Sequence, residues 1–258
     1  MRCLLVLVNS PVGQSGVSTL TQSIAFTYSN WINRPALIVS VNNDRFYKSK
    51  CNVKQDFQSK FLSIVNGNTG GHGDLKNYTY KINDLLYYYQ AHSSPVAPMS
   101  QRDLDLQLFL ERASREFGMV VVDLDDEHNS FRKYLDIADV CYTVVPPDRM
   151  VLEIASENIK EVLEEYKESG GLAVKTRMNY ILNRFTKDCG ISKSVASKIL
   201  GANQRDVFTI PYDSRFMREG NKNHLMHFIG ETLLYKKTPA DKVLEISYKR
   251  IYDSLRKL

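Results

Sequence analysis

The stretch Ser10-Pro11-Val12-Gly13-Gln14-Ser15-Gly16-Val17-Ser18-Thr19 sets glycines among hydroxyl side chains directly after an apolar run at 3–8. Glycines let a backbone curl so that successive N–H groups face one point, and a helix starting there adds the positive end of its dipole. Such residues between a strand and a helix can cradle an anion, with phosphate as the usual occupant. The same pattern also suits a plain turn in a fold that holds no nucleotide. A second candidate is Asp123, which closes the apolar run 119–122 and is followed by Leu124-Asp125-Asp126-Glu127. Carboxylates gathered at a strand end can hold a divalent cation, although such runs are more often solvated loops. His224 and His227 stand three apart in a helical pattern, but no third ligand lies near, and a surface or core pair is the simpler reading.

The elements that must position these residues alternate along the chain. Short apolar runs at 3–8, 36–41, 119–123, 140–145, 178–182 and 207–210 read as strands buried on both faces. Helical patterns lie between and after them at 18–31, 55–65, 103–116, 150–169, 192–200, 223–234 and 240–258. Strands alternating with helices imply parallel pairing through right-handed crossovers. The predicted fold is therefore α/β, a doubly wound and mostly parallel sheet with helices on both faces. Residues 1–258 are expected to form a single domain, with the segment 223–258 packed on its core. Sheets of this kind bind ligands at the carboxyl ends of their strands, which is where the glycine loop and Asp123 fall.

Bulk properties narrow the class further. With 43% hydrophobic and 24% charged residues, the chain of 258 residues reads as an ordinary globular protein. The first apolar run is far shorter than the about 20 residues that cross a bilayer, so a cytoplasmic location is expected. Four scattered cysteines show no paired spacing and read as reduced and mostly structural. A net charge of +5 without a basic block neither demands nor excludes DNA or an anionic membrane.

The loop resembles the deviant Walker A loop of the ParA/MinD family of P-loop NTPases, K-G-G-x-G-K-[ST]-[ST]. On that pattern Gly13, Gly16, Ser18 and Thr19 match, Val12 and Val17 stand at the two lysine positions, and Gln14 replaces a glycine. Ser40 and Asn42 stand where the family's second strand ends in acidic residues, one of which orients the attacking water. Asp123 matches the Walker B aspartate, and the stretches 117–124 and 135–148 are similar to the family passage around it. Tyr180-Ile181-Leu182-Asn183-Arg184-Phe185 resembles the family strand end whose asparagine reads adenine, and Ile210-Pro211-Tyr212-Asp213-Ser214-Arg215 resembles its IPyD-x-r ending. The likeness runs from residue 1 to about 230.

What this implies is a nucleotide site at Gly13, Gln14, Ser15, Gly16, Val17, Ser18 and Thr19, with Asn183, Arg184 and Pro211 beside it and Ser18 and Asp123 toward magnesium. Without either lysine, ATP or ADP with magnesium is expected to bind weakly or not at all, and turnover is not expected. Within the family the chain most resembles the CpaE/TadZ branch, which positions pilus and secretion machinery at the cell pole. That likeness implies protein partners of a localisation or assembly system, with a homodimer possible. Two other readings stay open: a working ATPase that borrows a lysine such as Lys48 or Lys50, and a partition protein that binds non-specific DNA.

Two surfaces were weighed for contacts. The final segment sets Leu244, Tyr248, Ile251, Leu255 and Leu258 on one helical face, as a membrane-lying or a core-packed helix would. Its acidic residues favour packing over peripheral membrane contact. Fifteen tyrosines, including Tyr87-Tyr88-Tyr89, exceed what a core needs, so the region 78–89 is expected to be a partner-binding patch.

Overall fold

Each central strand is apolar over most of its length and carries its few polar residues toward its carboxyl end, so it is soluble only when both of its faces are covered. In the computed structural model, which describes residues 2–41, 75–91, 99–124, 130–169, 174–222, 224–235 and 238–258, that covering is complete. The strands are β1 (Leu4–Asn9), β2 (Ala36–Ser40), β3 (Tyr80–Lys81), β4 (Leu86–Gln90), β5 (Met119–Leu124), β6 (Val140–Val145), β7 (Arg177–Phe185) and β8 (Val207–Pro211). They form one eight-stranded sheet in the order β3-β4-β2-β5-β1-β6-β7-β8. Every pairing is parallel except β3 with β4. The α/β, mostly parallel architecture expected from the alternation of elements is the one observed.

Alternation along the strands divides the core in two. Leu4, Val6 and Val8 of β1 face α1 (Val17–Ile32), whereas Leu5 and Leu7 face the opposite layer. That opposite layer is built by α2 (Met99–Glu116), α3 (Arg149–Glu168) and α4 (Lys193–Ile199). The chain continues through α5 (Ser214–Asn221), α6 (Leu225–Gly230), a π turn over Glu231–Tyr235, and α7 (Pro239–Leu255). Leu225 and Phe228 of α6 and Leu244, Tyr248, Ile251 and Leu255 of α7 join α1 on its side of the sheet. The terminal helix thus packs on the core, as its acidic residues indicated. Among the described residues, no helix is long and apolar enough to cross a membrane.

The expected tyrosine patch is corrected by this arrangement. The run Leu86–Gln90 is a strand between β2 and β3, with Tyr88 at 2% and Tyr89 at 7% exposure. Tyr89 stacks on Phe109 at 4.0 Å, and Tyr87 meets Phe117 edge-on at 5.5 Å. An aromatic run looks like a contact surface only until both faces of its strand are covered. Tyr28, Tyr142 and Tyr248 are likewise fully enclosed, and each hydroxyl has a partner: Gly118 O at 2.9 Å, Ser254 Oγ at 2.9 Å, and the Ser23 side chain. Burial pushes the Tyr142 hydroxyl up to about 12. These bonds pin α1 and α7 to the sheet. Cys141 is buried in β6, where loss of solvation pushes its thiol up to about 12, in keeping with a structural role.

The carboxyl-terminal helices are tied together by one guanidinium. Asp213 caps α5 by accepting from Arg215 N at 2.9 Å, and the Arg215 side chain binds both Asp213 carboxylate oxygens, with Nη2 at 2.6 Å. Arg215 Nη1 also lies 2.8 Å from Asp241 Oδ1, a close but poorly aligned charge contact, and its guanidinium sits over the Phe228 ring. Asp241 in turn completes the capping box of α7 with Thr238. Burial opposes the charge on Asp213 and Asp241, but hydrogen bonds from Arg215 and Thr238 outweigh it and hold both carboxyls below their ordinary value.

Two outcomes are expected. Tyr142→Phe leaves the buried Ser254 hydroxyl without this partner and costs about 1–3 kcal/mol in urea unfolding. Arg215→Met costs about 2–3 kcal/mol at neutral pH. Because the folded carboxyls titrate below their unfolded value, that stabilisation is present in full above about pH 4 and is lost as pH falls further, so the gap in Tm between wild type and variant narrows in acid. A gap that stays constant down to pH 2 (about two units lower) contradicts the linkage.

Candidate functional site

β1 lies between β5 and β6, so its carboxyl end opens into a crevice flanked by their ends. Asn9, the last residue of β1, is in register with Leu124 and Thr143, and the glycine loop leaves from this point. Ser10 Oγ accepts from Val12 N at 3.2 Å and starts the turn. Gln14 and Gly16 both adopt positive φ, 57° and 96°, which curls the segment back toward the sheet. Gly16 is the N-cap of α1, and it offers no side chain to the helix's first amides. The first turn also lacks an acidic residue, so the positive end of a 16-residue helix faces the loop without an answering carboxylate of its own.

The loop is held from two strands away. Asn183 Nδ2 donates to Ser15 O at 2.7 Å, and Arg184 Nη2 donates to Gln14 O at 3.0 Å. Arg184 itself has φ 57°, the left-handed turn that lets adjacent residues of β7 both reach the loop. A Cβ on Gly16 would lie 2.4 Å from Asn183 Nδ2, so this glycine serves both its own backbone angle and the close approach of the asparagine. Pro211 ends β8 in register with Phe185, beside the Asn183–Arg184 turn. The sequence expectation that Asn183 and Arg184 lie with Ser15 and Gln14 is met in space; the observed partners of their side chains are loop carbonyls.

Buried polar atoms gather under the loop. Ser15 and Asn9 are 6% and 4% exposed, and neither Ser15 Oγ nor Asn9 Oδ1 has a hydrogen-bond partner among the described residues. Orphaned buried oxygens are costly, and their concentration beneath a helix amino end fits a site that receives a polar ligand or water. Asp123 is wholly buried at the end of β5, in register with Val8 on one side and Ser40 on the other. Ser18, in the first turn of α1, is buried as well. Asn9 was not singled out from the sequence, although a lone amide closing an apolar strand at a loop was the available signal.

The charge at the site is the decisive feature. Val17 is 5% exposed and belongs to the large apolar cluster on the α1 side of the sheet. The position that resembles a phosphate-binding lysine is therefore part of the core. Val12 is half-buried, while Gly13 and Gln14 are exposed. Arg184 is the cation that contacts the loop backbone here. Ser40 is wholly buried and neutral where an acidic residue was compared with it. Asn42, Lys48, Lys50, the segment 55–65 expected to be helical and the acids Asp125, Asp126 and Glu127 lie outside the described residues. No group of three or more His, Cys, Asp or Glu side chains suited to a metal occurs among the described residues. His227 Nδ1 instead lies 3.7 Å from Glu231, and His224 starts α6.

The backbone half of the cradle fits a phosphate group, through the curl at 13–16, the open helix end and the buried Ser15 hydroxyl. The charge half does not fit a triphosphate, since the described loop has no ammonium to neutralise its outer groups. Gly16→Ala is expected to cost about 1–3 kcal/mol because it strains a positive φ and collides with Asn183. In an Asn183→Ala background the same change should cost less; equal costs in both backgrounds would show that the contact contributes nothing.

No protein-family model and no curated protein matches the sequence. Solved structures do match the fold. A ParA family ATPase from Chlorobium tepidum has a TM-score of 0.70 at 17% identity, over 96% of both chains. A plasmid partition protein from Borrelia burgdorferi bound to AMPPNP has a TM-score of 0.71 at 15% identity, over all of both chains. The MinD cell division protein of Aquifex aeolicus has a TM-score of 0.69 at 16% identity, over 97% of both chains. The chain thus has the α/β fold that these ParA and MinD P-loop NTPases share.

Proposed function

We propose that the chain is a catalytically degenerate ParA/MinD-like protein that localises or assembles a larger machinery through protein–protein contacts. The observation that carries this reading is the burial of Val17 in the apolar core at the head of a loop that keeps Gly13, Gly16, Ser18 and Thr19. Losing one charge-assisted hydrogen bond costs about 1.5–3 kcal/mol, one to two decades of affinity. A second valine and a neutral Ser40 remove the remaining means of steadying a transferring phosphoryl group and its attacking water. Binding then reduces to what backbone amides and hydroxyls provide.

Should ATP or ADP with magnesium bind, the loop from Gly13 to Thr19 would hold its phosphates, Asn183, Arg184 and Pro211 would line the neighbouring edge, and Ser18 and Asp123 would face the cation. Magnesium supplies charge neutralisation of phosphate oxygens when bound. No phosphoryl-transfer step follows from the residues present. Residues 1–258 act on this reading as one cytoplasmic domain, recruited to a pole or membrane complex by partners of the pilus or secretion type, alone or as a homodimer.

A second reading is favoured by one observation, the Arg184 guanidinium already on the loop. There the chain is an unusual ATPase whose cation comes from β7. Steady-state phosphate release from purified protein with ATP and magnesium separates the two. The expected result is release at the buffer background, unchanged by Asp123→Ala. Release well above background that disappears in Asp123→Ala and Arg184→Ala supports the second reading and ends the first.

A further inference from the structure

The far end of β7 borders a different feature. Where Asn183 and Arg184 at its carboxyl end reach the glycine loop, Arg177 at its amino end lines a cleft of about 880 Å³. The cleft runs along β8, and α4 and α7 supply its two walls. Its volume sits within the about 300–1,000 Å³ of ordinary ligand sites. It lies at the amino ends of β7 and β8, away from the crevice where the loop sits.

Two properties of the cleft point to the same kind of occupant. First, β8 is the last strand of the sheet, and among the described residues it pairs with β7 alone. Every second residue of such a strand directs its N–H and C=O away from the sheet, a row able to accept another strand. Val207, Phe208 and Thr209 line the cleft, and Thr209 is the half-exposed one of the three. Second, the lining holds five cations, Arg177, Lys193, Arg205, Arg250 and Lys257, against two carboxylates, Asp206 and Asp253. Asp206 is taken by Arg177 at 2.6 Å, with Arg205 at 3.8 Å. Lys193, Arg250 and Lys257 make no ion pair with a carboxylate among the described residues. Burial and, after it, the nearby charge of Arg250 lower the Lys193 amine, and the weaker pull of Asp206 does not outweigh them.

We propose that this cleft binds an extended acidic segment of a partner protein, which adds as a strand to β8 and sets its carboxylates between the cations of α4 and α7. Main-chain bonds to β8 hold the segment, and the flanking charges select acidic sequences. Double-stranded nucleic acid shares the negative charge but makes no use of a strand edge. The inference rests on the proposed assembly role only for its biological sense, since it supplies that role with a contact surface.

The test uses the full chain and a short fluorescein-labelled peptide of Glu-Glu-Val repeats, read by fluorescence anisotropy. Saturable binding is expected, with no binding of the matching peptide carrying Gln in place of Glu. Arg250→Glu in α7 and Lys257→Glu just beyond its end change exposed positions and should each weaken binding about tenfold or more without altering the circular dichroism spectrum. Amide hydrogen exchange should slow at residues 207–210 when the peptide is bound. Absence of binding, binding indifferent to both charge reversals, or unchanged exchange along β8 each overturns the proposal. So does a random-sequence DNA duplex that displaces the peptide while leaving exchange at β8 untouched. A chain that hydrolyses ATP yet binds the peptide refutes the pseudo-ATPase reading and leaves the cleft assigned; a chain without turnover that ignores the peptide does the reverse.

Discussion

The sheet has two dry faces, and that constraint governs the rest of the molecule. Because β1 is apolar from Leu4 to Val8, its polar opportunities lie at its ends. Helices must cover both faces, so crossovers must alternate sides, and the reversal of direction around β1 leaves a crevice at its carboxyl end. The glycine loop occupies that crevice because the first crossover has to begin there. Its hydrogen bonds to the end of β7 then set its shape. An amide from a strand two places along the sheet and the open end of α1 meet at Ser15 and Gly16, and the curl between them follows from their separation.

Much of this was readable in the chain before any coordinates. Short, predominantly apolar runs such as Met119–Leu124 and Val140–Val145 match strands covered on both sides. The glycines of the loop and the acid at the end of β5 were readable for the same reason, since special backbone angles and buried carboxylates restrict residue type. The failures have physical causes too. Leu86–Gln90 carries three tyrosines, which are amphipathic, so the run suits a contact surface as well as a core strand until its neighbours are known. Ser214–Asn221 was missed as a helix because it buries little beyond Gly220 and is held by the Asp213 cap and the Arg215 network. The bond from Asn183 to Ser15 spans 168 positions of sequence, and no local pattern encodes it.

The distribution of charge explains why the two ends of β7 behave differently. At the carboxyl end Arg184 is engaged with a carbonyl of the loop. At the amino end, basic side chains converge beside the last strand of the sheet, where Asp206 is shared by Arg177 and Arg205. A surface of the second kind is maintained against self-repulsion, which costs stability and has to be offset by the surrounding fold. Here that offset comes from α7, whose Leu244, Tyr248 and Ile251 are buried while Arg250 points from its other side.

Val17 shows what the absence of a lysine does beyond removing a ligand contact. Burying a valine side chain contributes about 1.5–3 kcal/mol, whereas an ammonium in the same apolar cluster would have to reach an anion or water to avoid a desolvation cost of several kcal/mol. A lysine at the head of α1 therefore makes the ordered loop depend on its ligand, and a valine does not. The loop here has its remaining anchors within the protein: the Gly16 turn, the Asn183 amide and the Arg184 guanidinium. Its conformation is consequently a property of the folded chain, available to position neighbouring surfaces whether or not a phosphate arrives.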